Sequence, residues 1–182
     1  MKYTLYFGAP IFIAYIPVII GMLFASINLI LKILFFGGWI AYSIFFFAIW
    51  ESRMICNHCP YYANNEERVL HCPTDRGKPK TGKYSPGPLN LSEKIQFIIG
   101  AVILMGFPIP FLILASQFVP MLLYGIGVVV WVILIQLKVC TDCLNFSCPL
   151  NRVPKRVKND FIIRNPVIKK AWEEAGYKIN SE

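Results

Sequence analysis

The long apolar segments of this sequence lack the groups that most membrane-embedded chemistry requires. They contain no histidine, and their only charged residue is Lys32, which lies near a predicted helix end. Pumps and transporters normally carry ionisable groups inside the membrane, and a b-type haem needs axial ligands such as histidine. The sequence therefore argues against ion translocation through this chain alone and against a haem between its helices.

A complete phosphate-binding loop and a recognisable catalytic constellation are also missing. The segment 77–84 reads GKPKTGKY, but Tyr84 stands where the loop needs a hydroxyl residue to hold magnesium. Glu51 and His71 are available as bases, yet no partner pattern surrounds them. The basic stretches show no interleaved aromatic residues, so we predict no nucleic-acid partner. The sequence leaves enzymatic activity open and favours a non-enzymatic role.

Long apolar blocks dominate the sequence, and apolar residues make up 56% of the chain. Four blocks reach the roughly 20 residues that a membrane-spanning helix needs: 5–25, 29–50, 95–115 and 119–137. We expect the first to be a retained helix and not a cleaved signal peptide, because its apolar run is too long. We expect Lys32 to snorkel to the membrane interface. The predicted fold is an all-α integral membrane protein with four transmembrane helices.

The four predicted helices form two hairpins separated by hydrophilic segments. Residues 1–50 form the first hairpin and 94–138 the second, while 51–93 form a central loop and 139–182 a tail. We expect turns near Asn28 and Ser116 inside the hairpins. In the tail, Asn165, Pro166 and Gly176 predict the start and end of a short amphipathic helix. Its apolar face either packs on the protein's own hydrophilic cap or docks a partner or the lipid surface.

Basic residues predict the orientation of the chain. With four spans, the N-terminus, the central loop and the tail share one side of the membrane, and 17 of the 18 Lys and Arg residues fall on that side. The positive-inside rule places it in the cytosol, and its charge favours contact with anionic lipid heads. We therefore predict a multi-pass protein of the cell membrane with both termini cytosolic.

All six cysteines fall on this predicted cytosolic side, in a pattern that occurs twice. Cys56 and Cys59 form one C-x2-C pair, followed by Cys72-Pro73. Cys140 and Cys143 form a second pair, followed by Cys148-Pro149. A parallel internal duplication of hairpin and cysteine motif explains the repeat and would bring both motifs to one end of the bundle. Disulfides are unlikely in the reducing cytosol, where clustered cysteines more often bind metal or perform redox chemistry.

Two C-x2-C pairs with further cysteines form a donor set for a metal. Zinc takes four such ligands tetrahedrally, and iron–sulfur clusters take thiolates at similar short spacings. No cysteine precedes the glycine usual in zinc ribbons, and three precede proline, as a cluster ligand does in bacterial ferredoxins. We predict a [4Fe–4S] cluster or Zn²⁺. The candidate ligands are Cys56, Cys59, His71, Cys72, Cys140, Cys143 and Cys148.

Two functions remain open at this point. The first is a membrane-anchored metal-binding protein that carries electrons or acts as an accessory subunit of a larger membrane complex. Its hydrophilic cap is too small to fold unaided, and bound metal would stabilise it. The alternative is a metal-free thiol protein, either a C-x-x-C oxidoreductase or a redox-responsive regulator. Basic neighbours such as Arg53 and Lys138 would lower a thiol pKa in that case.

Overall fold

The computed structural model describes residues 2–63, 68–72 and 77–179, with side chains from residue 5 onward, and this part of the chain is helical. Its α-helices are α1 (Lys2–Phe24), α2 (Leu29–Phe45), α3 (Glu51–Met54), α4 (Leu91–Gly106), α5 (Pro108–Leu114), α6 (Phe118–Lys138), α7 (Lys155–Arg164) and α8 (Pro166–Glu174). A π-helical segment, Phe46–Trp50, joins α2 to α3. The described residues contain no strand beyond an isolated bridge between Val69 and Pro79.

Four helical stretches are long and apolar enough to cross a membrane, which confirms the four predicted spans. They are Leu5–Phe24, Leu29–His58, Leu91–Leu114 and Phe118–Lys138. Many large apolar side chains on these helices face outward, including Phe12 at 76% exposure and Val119 at 69%. An outward apolar surface of this extent fits lipid and not water.

The second span is longer than the sequence predicted. The helix passes its expected end at Trp50 and continues through α3 into a 3₁₀ turn at Cys56–His58. Glu51 begins α3, and its carboxylate is paired with the Lys78 ammonium, so its side chain is only 13% exposed. The first C-x2-C pair is therefore attached directly to a transmembrane helix.

Polar residues lie at the turn between α1 and α2 and at the turn between α5 and α6. The Asn28 side chain accepts from the Ile30 N–H at 3.0 Å and caps α2. The Lys32 ammonium donates to the Leu23 carbonyl in the last turn of α1 at 2.8 Å, which places this charge at the helix end, where we expected it. Between α5 and α6, Ser116 adopts a left-handed conformation with φ 54° just after the end of α5.

Two tyrosines bind the backbone where the third span is interrupted by proline. Pro108 has no N–H for the Leu104 carbonyl, which accepts a hydrogen bond from the Tyr15 hydroxyl at 3.4 Å instead. The Tyr124 hydroxyl donates to the Met105 carbonyl at 2.7 Å. An unpaired carbonyl inside the bundle would cost free energy in the absence of water, so these tyrosines connect α1 and α6 to the interruption.

Close contact between α1 and α6 depends on a small residue. A Cβ atom added at Gly127 would lie 2.6 Å from the Ala14 Cβ atom and 3.0 Å from its Cα atom. The two backbones approach each other at this point, as small residues allow in membrane bundles. On the same helix, a Cβ atom at Gly125 would meet nothing within 4 Å. Gly127 therefore sets the distance between these helices.

The tail forms two helices, and the packing of its apolar face is visible. Ile168 and Trp172 of α8 are buried against Phe146 and Ile162 of the tail itself, as in the first of the two alternatives above. Gly176, with φ +84°, ends the helix as predicted. The start of the helix is also confirmed, because Asn165 occupies the N-cap position and Pro166 is the first residue of α8. The Asn165 side chain does not cap α8, however, and its N–H donates to the Phe161 carbonyl at 2.6 Å at the end of α7.

Candidate functional site

The first C-x2-C pair forms a tight turn at the end of the second span. The Cys59 N–H donates to the Cys56 carbonyl at 3.0 Å, and the Tyr62 N–H donates to the Cys59 carbonyl at 2.8 Å. Two successive 3₁₀ turns, Cys56–His58 and Pro60–Tyr62, result from this pattern. Both cysteines are thereby fixed at the C-terminal end of the second span.

Cys72 lies on a ribbon formed by the two arms of the central loop. The Leu70 N–H donates to the Lys78 carbonyl at 2.8 Å, and the Lys80 N–H donates to the Arg68 carbonyl at 2.9 Å. Leu70 is 1% exposed and anchors the ribbon beside Cys56 and Tyr62. Pro73, which follows Cys72 in the repeated motif, lies outside the described residues.

The second cysteine motif lies in a closed loop after α6. The Arg152 N–H donates to the Cys140 carbonyl at 3.0 Å and closes the loop. Inside it, the Asn151 side-chain amide donates to the carbonyls of Cys143, at 2.7 Å, and Asn145, at 3.0 Å. The Asn145 side chain, which is 4% exposed, donates to the Ile55 carbonyl beside the first pair at 2.7 Å. Asn151 therefore holds the shape of the loop, and Asn145 connects the loop to the first pair.

All six cysteines line one cavity of about 290 Å³. Its remaining wall is mostly apolar and includes Phe97 of α4 and Ile135 of α6, while Glu51 and Asp142 add carboxylates. The sulfurs come from two segments of the chain that lie more than 65 residues apart in sequence: Cys56, Cys59, Cys72, Cys140, Cys143 and Cys148. The described residues thus form one shared site at one end of the bundle.

Electrostatic coupling connects the two motifs across this cavity. The pKa of Tyr61 is raised by burial and further by the negative charge of Cys72, Cys59 and Cys143. Burial raises the pKa of Cys143 to about 12, although the Asn145 backbone N–H acts in the opposite direction. Burial also raises the pKa of Cys148 to about 11. Without a cation in the cavity, both thiols stay protonated at neutral pH.

A buried ion pair borders the cysteine cavity. The Lys78 ammonium binds the Glu51 carboxylate and lies 3.9 Å from the Cys56 sulfur. These two charged side chains are 10% and 13% exposed. In such a poorly solvated position a paired carboxylate and ammonium hold each other in place, so Lys78 brings positive charge close to the site without occupying it.

The two histidines have different positions. His58 is 9% exposed, and its ring nitrogens contact the Gly87 carbonyl at 2.8 Å and the Glu93 carboxylate at 3.3 Å. This residue therefore connects the central loop to the start of α4. His71 is exposed and does not line the cavity, whereas Cys72 does. Metal binding by His71 stays a prediction.

The donor chemistry of the cavity fits a soft metal centre. Six thiols are available, and soft thiolate ligands select zinc and iron–sulfur clusters. Within residues 2–63, 68–72 and 77–179, no three His, Cys, Asp or Glu side chains converge closely enough to hold one metal ion. The six cysteines line one cavity, and both zinc and iron–sulfur centres take thiolate ligands.

Sequence reasoning missed the residues that hold the cysteines in place. Asn145 and Asn151 shape the tail loop, and Lys78 carries the nearby charge. The available signal was the asparagine spacing in CLNFSCPLN, because asparagine side chains commonly hydrogen-bond the backbone in turns. No family model, curated protein or solved structure matches the chain, so the site itself has to carry the functional assignment.

Proposed function

We propose that this chain is a multi-pass membrane protein that binds one inorganic cofactor in its cysteine cavity, and that the cofactor is a [4Fe–4S] cluster. The observation that carries the proposal is that two distant cysteine motifs line a single cavity. Six unrelated structural cysteines have no physical reason to converge. A shared cofactor supplies that reason, and it stabilises a hydrophilic cap that has only small apolar clusters of its own.

Zinc is the second candidate, and the three cysteines that precede proline, as a cluster ligand does in bacterial ferredoxins, favour the cluster over it. A structural zinc ion draws four donors to one centre at about 2.3 Å for each sulfur. A cubane instead distributes its four thiolates over four iron atoms, so its ligands line the walls of a cavity. A volume of about 290 Å³ also exceeds what one ion requires.

The charge around the cavity supports a bound anionic centre. Either a zinc ion or an oxidised cubane with four thiolates carries net negative charge, which needs compensation in a poorly solvated site. Arg152 lies beside Cys140 and lowers its pKa against the larger effect of burial. Lys78 lies beside Cys56. Arg152 belongs to the tail and Lys78 to the central loop.

The role that follows is electron transfer or assembly within a larger membrane complex. A cluster, once bound, supplies one-electron chemistry. The cavity lies beside the ends of transmembrane helices, at Cys56 and Ile135, and apolar residues such as Phe97 would enclose the cluster there. We assign the cavity end of the bundle to the cytosol, because that end carries most of the basic residues and needs reduced thiols.

Metal-free thiol chemistry is the weaker alternative. A reactive cysteine requires a lowered pKa, whereas burial raises the pKa of Cys143 to about 12 and of Cys148 to about 11. Thiols of this kind react slowly at neutral pH. They become thiolates readily only when a cation enters the site.

The test is purification in detergent without oxygen, followed by analysis of iron, acid-labile sulfide and zinc. We expect a brown protein with iron and sulfide in equal amounts. Colourless protein with stoichiometric zinc would show that the cofactor is zinc and not a cluster. Protein that contains neither metal, yet has six titratable thiols, would overturn the proposal in favour of thiol chemistry.

The orientation has a separate test. A reporter fused after residue 182, active only in the cytosol, is expected to be active, and the same reporter placed in the 26–28 turn is expected to be silent. The reverse result would place the cysteines on the oxidising side and would remove the reason for expecting reduced thiols.

A further inference from the structure

One positive and one negative charge are built into the wall beside the cysteine cavity. Glu51, the first residue of α3, lines the cavity, and its carboxylate binds the Lys78 ammonium. The Lys78 and Glu51 side chains are 10% and 13% exposed. The same ammonium lies 3.9 Å from the Cys56 sulfur. Both charges are therefore close to the thiols and poorly solvated.

The backbone around Lys78 is held in place by the ribbon and by the second span. The Leu70 N–H donates to the Lys78 carbonyl at 2.8 Å, and the Ser52 hydroxyl donates to the Pro79 carbonyl at 3.4 Å. The Lys78 ammonium also lies over the Phe47 ring, 6.0 Å from its centroid. A charge that is fixed in this way does not have to be reoriented when the charge of the neighbouring site changes.

The stability of the fold is a weak explanation for a buried pair of this kind. Removing two charges from water is unfavourable, and replacing such a pair by apolar residues is often neutral or stabilising. The position of the pair supports a different explanation. At an effective dielectric constant of about 20, a unit charge a few ångströms away shifts by tenfold or more an equilibrium that changes the charge of the site.

We propose that Lys78 and Glu51 are positioning residues that set the reduction potential of the cofactor, with Lys78 favouring the reduced state and Glu51 limiting that effect. This inference rests on the proposed function and assigns two further residues to it. Reduction adds one electron from an external donor and neither forms nor breaks a bond, so the site gains one negative charge. The Lys78 ammonium stabilises that added charge, and the Glu51 carboxylate opposes it while holding the ammonium at the cavity.

The test compares Glu51→Gln with the double variant Lys78→Met/Glu51→Gln, each as the full chain purified in detergent without oxygen. Neither variant leaves a buried carboxylate without its cation, and the two differ in the charge at residue 78. The reduction potential is measured by titration with dithionite, followed by visible absorbance and EPR. We expect Glu51→Gln to be reduced more readily than the native chain. We expect the double variant to be reduced less readily than Glu51→Gln by about tenfold or more in the equilibrium constant, which is about 59 mV for one electron.

An exposed pair of the same chemistry provides the matched control. Lys170 and Glu174 on α8 lie 4.0 Å apart, and their side chains are 81% and 67% exposed. Solvent screens charges in such positions. We expect Glu174→Gln and Lys170→Met/Glu174→Gln to have the reduction potential of the native chain. Iron and sulfide per chain are measured in every sample, because a merely structural pair would change the cofactor content and not the potential.

Each outcome decides for or against the inference. Equal potentials of Glu51→Gln and the double variant, with iron retained in both, overturn it while the proposed function stands. If the double variant loses its iron, Glu51→Gln decides alone, and a potential at or below that of the native chain overturns the inference. Loss of iron from Glu51→Gln itself would show that the pair is structural. A native chain without an iron centre that dithionite reduces overturns both this inference and the proposed cluster.

Discussion

Asn145 offers the sharpest test of how the fold positions the candidate site. Its side-chain amide donates to the Ile55 carbonyl at 2.7 Å and accepts from the Ser147 hydroxyl at 3.2 Å. The first bond joins the tail loop to the residue before Cys56. Replacing Asn145 by Ala removes both bonds and leaves the backbone of the loop intact, so it loosens the connection between the two cysteine motifs.

The structure limits the size of this effect. The Ile55 carbonyl keeps a second donor, the His58 N–H at 3.2 Å, so the change does not leave it unpaired. The loss is then about one net hydrogen bond plus the small cavity left by a truncated side chain that is 4% exposed. We expect a cost of about 1–2 kcal/mol, which corresponds to about a 5–30-fold change in an equilibrium constant.

The assay is competition for the bound metal between the protein and a chelator. We expect Asn145→Ala to weaken metal retention by about 5–30-fold relative to the native chain. In the metal-free protein, the same change should speed alkylation of Cys143, because the loop opens more often. Asn28→Ala is the matched control: it removes a helix cap worth about 1 kcal/mol in the turn between α1 and α2 and should leave metal retention unchanged. Equal retention in native and Asn145→Ala protein would refute the connection described here.

Two further predictions concern the bundle and the thiols. Gly127→Ala should destabilise the protein by about 1–3 kcal/mol in detergent unfolding, because the new methyl group would lie 2.6 Å from the Ala14 Cβ atom. The control, Gly125→Ala, has open space around it and should change the stability little. Equal effects of the two changes would contradict the packing of α1 on α6. In the metal-free protein, alkylation of Cys143 at pH 8 should be about 1000-fold slower than that of a thiol with the ordinary pKa of 9.0, because burial raises its pKa to about 12. The metal-free fold should also lose stability as the pH rises from about 9 towards 12, because the thiol ionises at a lower pH in the unfolded chain than in the folded chain. An alkylation rate or a stability that stays constant over this pH range would show that the thiol is not buried.

Apolar run length was sufficient to predict the four spans, because about 20 apolar residues suit only a membrane or a fully buried helix. The continuation of the second span past Trp50 could not be predicted from that criterion. Past Trp50 the first charged side chain, Glu51, pairs with Lys78, 27 residues later in the chain, and run length cannot show such a pair. Helix α7 was missed because its sequence, KRVKNDFIIR, is largely polar. Its buried face, which contains Asn159 and Ile162, becomes visible only from packing in the tail.

The candidate site was partly visible in the sequence. The spacing of the two C-x2-C pairs and the parity of the spans predicted that both motifs lie at one end of the bundle, and the structure places all six sulfurs around one cavity. Adjacency in sequence was a poor guide for His71. Extended backbone sends successive side chains to opposite faces, and Cys72 lines the cavity while its neighbour is exposed. Sequence order alone does not show which of the two faces inward.

The most direct measurement is X-ray absorption at the iron and zinc edges of the protein purified without oxygen. We predict an iron signal whose first shell contains only sulfur and whose second shell contains further iron atoms, as a cubane held by four cysteines requires. A first shell dominated by nitrogen or oxygen, or the absence of both metals, would contradict the claim that the two cysteine motifs jointly bind an inorganic cofactor.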